Sequence, residues 1–230
     1  MFDTKNKALR KSWKLTLLDL LIAATFFFIL TGFTSQIAHA GTPGRYYVLG
    51  TNNQGSTTYY GVRSNQQTVN PYVYSGSAVY SFASLTQSNH DFFAIGFMKG
   101  TNPANGQWLS TPYYYVDRVL NGVYQFWLLN QATVGENHLY TVYTNYYGNS
   151  ISASIDGVLK KSESGYLASG KQAAGQTEAL NTDDVMNHHL WGMQFRTVES
   201  RWFSFYNNAY VAHNPFHINV ISSTEWYAYK

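Results

Sequence analysis

The sequence predicts an all-β fold, a two-sheet antiparallel jelly-roll sandwich, and three observations carry that expectation. After residue 45 the chain breaks into short runs rich in Tyr, Val, Phe and Ile, separated by clusters of Gly, Asn, Pro and Ser. The dipeptides Asn121-Gly122, Gly148-Asn149 and Asp156-Gly157 sit between such runs, and they favour the positive φ angles of tight hairpins. No stretch after residue 40 keeps a long 3.6-residue apolar period, so helices should be confined to short turns.

The first 40 residues read as an address. Lys5, Lys7, Arg10, Lys11 and Lys14 form a basic region, an apolar run begins at Leu20, and Ala38-His39-Ala40 supplies a small-residue cleavage site before Gly41. The competing reading, a retained membrane anchor, is weakened by Asp19, which interrupts the run; a span needs about 20 apolar residues. The expected organisation is therefore a signal peptide over 1–40 and one sandwich domain over 41–230. The runs that follow are RYYVLG from Arg45, TTYYGVR from Thr57, SAVYSFASL from Ser77, DFFAIGFM from Asp91 and YYYVDRVL from Tyr113. Next come VYQFWLL from Val123, HLYTVYTNYY from His138, SISASIDG from Ser150, HHLWGMQFRTV from His188, RWFSFY from Arg201 and INVISSTEWYAY from Ile218. In SISASIDG, Ile151, Ala153 and Ile155 alternate with Ser152, Ser154 and Asp156, the pattern of one buried and one wet face. Residues 159–184 are the longest polar stretch and read as loops with a weak strand near Gly165–Ser169. About eleven strands in one domain favour two packed sheets over a small barrel.

Composition excludes several function classes. Five of the 15 basic and two of the 12 acidic residues lie in the first 40, so the remainder is balanced at ten of each. With no Lys/Arg run there is no electrostatic footprint for nucleic acid, and none for a membrane surface once the leader is removed. The absence of cysteine excludes disulfides and thiol catalysis, and export without them suits a Gram-positive bacterium. No nucleophile elbow, P-loop or dinucleotide fingerprint occurs, so no cofactor is expected.

Four blocks in order resemble the glutamic peptidases, the eqolisin family, and more loosely the neprosin domain. VYSFASLTQSNHDFFAIGF, from Val79, is similar to the family's thin apolar strand and the W-V-G-I-type strand after it; YYYVDRV stands where the family has an L-Q-T-G-V-type strand; VYQFWLLN is similar to its W-Y-E-W-Y-P strand; and AGQTEALN, before HHLWGMQF, resembles its A-E-W-I stretch. The resemblance covers residues 76–206. It implies a concanavalin-like pair of antiparallel sheets with a catalytic groove, the family's Glu at Glu178, the place of its Gln at Tyr115 or one neighbour away, where this sequence has no Gln, and Gln125 where the next strand carries a Glu.

The expected site follows from that. A carboxylate that activates water needs an amide or second carboxyl to position the water and stabilise the oxyanion. Glu178 is the first member, and Gln125, Asp117 or Tyr115 the helper; Tyr113, Tyr115 and Trp127 would bind the ligand, an extracellular peptide or a glycan. The alternative is a binding module without catalysis, in which aromatic residues stack on sugar or peptide. His188 and His189, adjacent on a strand, should diverge and not share a metal, and His189, Trp191, Met193 and Phe195 should share one face. Asp183 and Asp184 read as turn residues.

Overall fold

The computed structural model describes residues 45–52, 58–87, 91–145, 150–164, 170–198, 201–206 and 208–230. The expected signal segment, the weak strand near 165–169 and the Gly148-Asn149 turn lie outside the described residues. Fifteen strands make up the described chain: β1 (Tyr46–Asn52), β2 (Gly61–Gln67), β3 (Ala78–Thr86), β4 (Phe92–Thr101), β5 (Trp108–Leu120), β6 (Val123–Gln131), β7 (Asn137–Asn145), β8 (Ser150–Ile155), β9 (Val158–Ser164), β10 (Gln172–Ala179), β11 (Asn187–Arg196), β12 (Trp202–Ser204), β13 (Asn208–Ala212), β14 (His217–Ser222) and β15 (Glu225–Tyr229).

They form two antiparallel sheets. The seven-stranded sheet runs β13-β1-β10-β3-β4-β5-β6, and the eight-stranded sheet β14-β15-β11-β2-β7-β8-β9, with β12 beside β11. The expected jelly-roll sandwich is the fold observed. Period-two alternation sends Ala83, Leu85, Phe93, Ile95, Phe97 and Val116 of the first sheet against Val62, Tyr140, Val142, Ile151 and Leu190 of the second, in one shared core. The alternate residues of β3, β4 and β5, among them Tyr80, Phe82, Met98 and Tyr115, form a separate buried cluster on the outer face of the seven-stranded sheet.

The hairpin dipeptides behave as their chemistry requires. Asn121 and Gly122 (φ 51° and 75°) join β5 to β6, and Asp156 and Gly157 (φ 52° and 77°) join β8 to β9. Other expectations need correction. The polar stretch 159–184 contains most of β9 and the whole of the interior strand β10. INVISSTEWYAY is two strands folded at Ser223-Thr224, and β13 was not foreseen. Ser152 and Ser154 are 8% and 5% exposed, so their face of β8 is nearly closed. The shared core even admits a polar link between sheets: buried Ser81 donates to Gln66 Oε1 (2.8 Å), and Gln66 Nε2 donates to Ser64 (2.8 Å).

The sheets approach closely where large side chains of one meet glycines of the other. A Cβ on Gly50 of β1 would fall 2.5 Å from the Trp226 ring, and one on Gly175 of β10 would fall 2.9 Å from Met193 and 3.0 Å from Leu190. A rigid indole buried on all sides cannot yield that space without moving a sheet. Gly50→Ala is therefore expected to destabilise the fold by about 2–3 kcal/mol, measured by urea unfolding; unchanged stability would show that the two sheets are not locked there.

Candidate functional site

The strand β10, AAGQTEA after Gln172, turns Ala173, Gly175, Thr177 and Ala179 toward the core and Ala174, Gln176 and Glu178 outward. Its sequence has little strand propensity; its conformation is imposed by pairing with β1 on one side and β3 on the other. In register, Glu178 lies between Tyr47 and Tyr80. The Glu178 carboxylate is fully buried, and Arg45, just ahead of β1, donates from Nη1 to its Oε1 at 2.8 Å. Two residues back on the same face, Gln176 Nε2 donates to Oε2 at 3.5 Å, a long contact.

Asp117 of β5 is also fully buried on this outer face, since its neighbour Val116 points into the shared core. Tyr124 donates to Asp117 Oδ2 at 3.3 Å. Between the two carboxylates lie Tyr80 and Tyr115, whose rings meet edge-on at 5.6 Å, with Phe126 stacked on Tyr115 at 5.3 Å. Gly96 sits in register between Phe82 and Tyr115; a Cβ there would fall 1.9 Å from the Ser81 carbonyl oxygen, so only glycine fits this crossing of β4 over the face. Burial raises the pKa of Tyr80, Tyr115 and Tyr124 above that of an ordinary phenol. Nearby carboxylates add to this: Glu178 and then Asp117 act on Tyr80, while Asp117 acts most strongly on Tyr115 and Tyr124. All three remain protonated donors, and the Tyr115 hydroxyl has no hydrogen-bond partner among the described residues.

The expected site residues divide between two faces. Glu178, Asp117, Tyr113 and Tyr115 share the outer face. Gln125 and Trp127 do not, because β5 and β6 pair Arg118 with Gln125 and Val116 with Trp127. Gln125 Oε1 accepts from Arg118 Nε at 2.7 Å; Arg118 bridges to Glu163 (3.2 Å), and Lys161 stacks on Trp127 at 4.2 Å. Gln125 therefore helps to lace β6 to β9 and cannot assist Glu178. Asp117 is on the correct face but lies three strands and four residues from Glu178, a Cα separation of about 20 Å on an ideal sheet lattice. The residues that do touch Glu178, Arg45 and Gln176, were not singled out in the sequence; the i, i+2 spacing of Gln176 and Glu178 was the available signal, hidden because the segment read as a loop.

The histidine pair diverges as expected. His188 is buried against Phe97 (5.6 Å, stacked), while His189 lies outside, between Trp191 (4.5 Å) and Tyr227 (4.1 Å), with Nε2 on Glu225 at 3.0 Å. The face assignment for the rest of β11 is corrected by a bulge: Gly192 takes φ 62°, so Met193 and Phe195 point inward with His188 and Leu190, away from His189 and Trp191. No cluster able to hold a metal occurs among the described residues. Asp184 is more than a turn residue. Fully buried, it accepts from Tyr74 N (2.7 Å), Ser77 Oγ (2.6 Å) and Asn181 N (3.0 Å), pinning the loop before β3. Asp183 does stay in the turn, its N–H bonded to Asn181 Oδ1 at 2.8 Å.

The outer sheet face with a buried glutamate is the feature to compare. The chain shares the fold of the glutamic peptidases. Over 81% of its length it superposes on 98% of scytalido-glutamic peptidase, solved with a transition-state analogue inhibitor, at a TM-score of 0.57 and 11% identity. It matches SCP-B, a member of the Eqolisin family solved with the tripeptide Ala-Ile-His, over the same shares at 0.53 and 11%. No protein-family description and no curated protein sequence matches it. At this identity the likeness is one of architecture, a divergent eqolisin-like sandwich.

His188 gives this fold a defined acid response. Asn187 N donates to its Nδ1 at 3.2 Å, and its Nε2 has no partner among the described residues. Burial pushes its pKa down to about 3. The unfolded chain takes up this proton near pH 6.5 and the folded chain only near 3, so stability is unaffected above pH 6.5 and lost as pH falls through that window. Replacing the ring by a non-titrating one, His188→Phe, should reduce the stability lost between pH 7 and pH 4 by about 3 kcal/mol, measured by denaturant unfolding at each pH. Parallel curves for the two proteins would show that His188 is not the group responsible.

Proposed function

We propose that this chain is a secreted, peptide-binding relative of the glutamic-peptidase sandwiches, in which the outer face of the seven-stranded sheet recognises peptide and Glu178 serves recognition without hydrolysis. The observation that carries the reading is the Arg45–Glu178 ion pair at 2.8 Å. A catalytic carboxylate must offer an oxygen to water beside a second polar group. Here Oε1 is held by a guanidinium, a phenol stands where the resemblance implies an amide, and Asp117 stands three strands away with Tyr80 and Tyr115 between. What remains within reach of solvent is a partly exposed row of donors, Arg45, Tyr113 and Tyr124, with Arg45 and Tyr124 held from behind by buried Glu178 and Asp117, suited to the C=O groups of an extended peptide. The fold's likeness to a peptidase solved with a tripeptide supports peptide as the ligand class. Export is supported by the basic, apolar and A-x-A order of the first 40 residues.

Hydrolysis is the second reading, favoured by Gln176, whose carboxamide stands beside Glu178 and could replace the missing amide. One experiment separates the two. A peptide library is offered to the purified protein and to Glu178→Gln and Arg45→Gln from pH 3 to pH 7, with binding and cleavage both recorded. Peptide capture without cleavage, weakened about tenfold by Arg45→Gln, is the expected result, since lost hydrogen bonds to charged groups cost about 1.5–3 kcal/mol. Cleavage abolished by Glu178→Gln would establish the hydrolase reading, and absence of capture at every pH would defeat the binding one.

A further inference from the structure

The outer face of the eight-stranded sheet carries a second constellation, unconnected with Glu178. Arg63, Asn65 and Gln67 of β2 point outward because Val62, Ser64 and Gln66 point inward. In register, Arg63 lies between Gln194 of β11 and Thr141 of β7, and Asn65 lies between Trp191 and Leu139. Arg63 is oriented from two sides. Its Nε donates to Gln194 Oε1 at 2.7 Å, and its guanidinium carbon lies 4.5 Å from the centre of the Trp202 ring. No carboxylate reaches it among the described residues, and it is partly desolvated, which lowers its pKa. A guanidinium fixed at Nε and on one face keeps its terminal N–H edge directed outward, in the fork that matches a carboxylate.

The surroundings are built for close approach. Gly61 admits Trp202: a Cβ there would fall 3.0 Å from the indole. Gly192 admits Asn65, whose Nδ2 lies 2.7 Å from where a Cβ would be. Trp191 is held by His189, and Arg196, two register pairs along from Arg63, stacks on Tyr143 at 5.9 Å. The acidic residue at this face's margin, Glu225, is engaged by His189. The face thus offers a guanidinium on an aromatic ring, flanked by amides, and the charge of Arg63 calls for an anionic ligand.

The geometry points to a binding site for an acidic oligosaccharide on this face, with a sugar carboxylate on Arg63, a pyranose ring on Trp202, and a sugar hydroxyl on Asn65. A sugar fits better than a peptide because a pyranose presents both a flat C–H face for an indole and hydroxyls for an amide such as that of Asn65. The test is calorimetric titration of the purified full-length protein with oligogalacturonate, with a neutral galactose oligomer of equal length, with an acidic peptide and with inorganic phosphate. Oligogalacturonate should bind at least tenfold more tightly than the other three. Arg63→Gln and Trp202→Ala should each weaken it tenfold or more. Arg63→Lys keeps the charge and stem but not the fork, and should fail to restore full affinity. Glu178→Gln, on the other sheet, should bind oligogalacturonate normally, so failure of the peptide proposal leaves this one standing. Equal affinity for the acidic and neutral oligomers, preference for the acidic peptide or phosphate, or unchanged binding by a folded Arg63→Lys would overturn the assignment.

Discussion

The interlock of Trp226 over Gly50 and of Met193 and Leu190 over Gly175 is the constraint on which the rest of the molecule depends. Large groups of one sheet enter space that the other leaves empty, so the sheets can meet in only one register. That register fixes the inward side of β10 as Ala173, Gly175, Thr177 and Ala179, and period-two geometry then sends Gln176 and Glu178 outward whatever their own preferences. Glu178 is a fully buried carboxylate on the outer sheet face because the inner face of its strand had to be small.

The same constraint explains what could be read from the sequence. Fold class, and the strands whose inner faces hold large apolar groups, were legible, because a strand such as DFFAIGFM announces burial by composition. β10 was not, since Ala, Gly and Thr are what a close sheet contact needs and also what a loop contains. The phase of β11 failed for a related reason: Gly192 inserts one residue at positive φ, and periodicity cannot be carried across a bulge. Nor does a Ser-Thr turn between β14 and β15 carry the Gly or Asn that marked the other hairpins.

Gln125 is a different case, because its misplacement was avoidable. If Asn121-Gly122 is a two-residue turn, then Leu120 faces Val123, Arg118 faces Gln125 and Asp117 faces Phe126, as the structure shows. Gln125 must then share a face with Arg118 and not with Asp117. The dipeptide that identified the hairpin also contained the register that rules out this partner for Glu178. Arg45 could not have been found in this way, because its approach to Glu178 depends on how β1 pairs with β10, strands 133 residues apart at that contact.

Once the partners are fixed, the two outer faces differ in the state of their charges. On the seven-stranded sheet a buried carboxylate already has its guanidinium, so removing Arg45 leaves the Glu178 charge buried without it, and the pair bears on stability as well as on any ligand. On the eight-stranded sheet Arg63 is held by an amide and an indole, neither of which neutralises it. A fixed, partly desolvated cation without a counter-charge costs stability, and that cost is recovered when an anion binds. An internally satisfied pair favours a face that holds its shape, and an unsatisfied cation favours a face that binds. This places the stronger electrostatic drive for a charged ligand on Arg63, away from the glutamate to which the family resemblance draws attention.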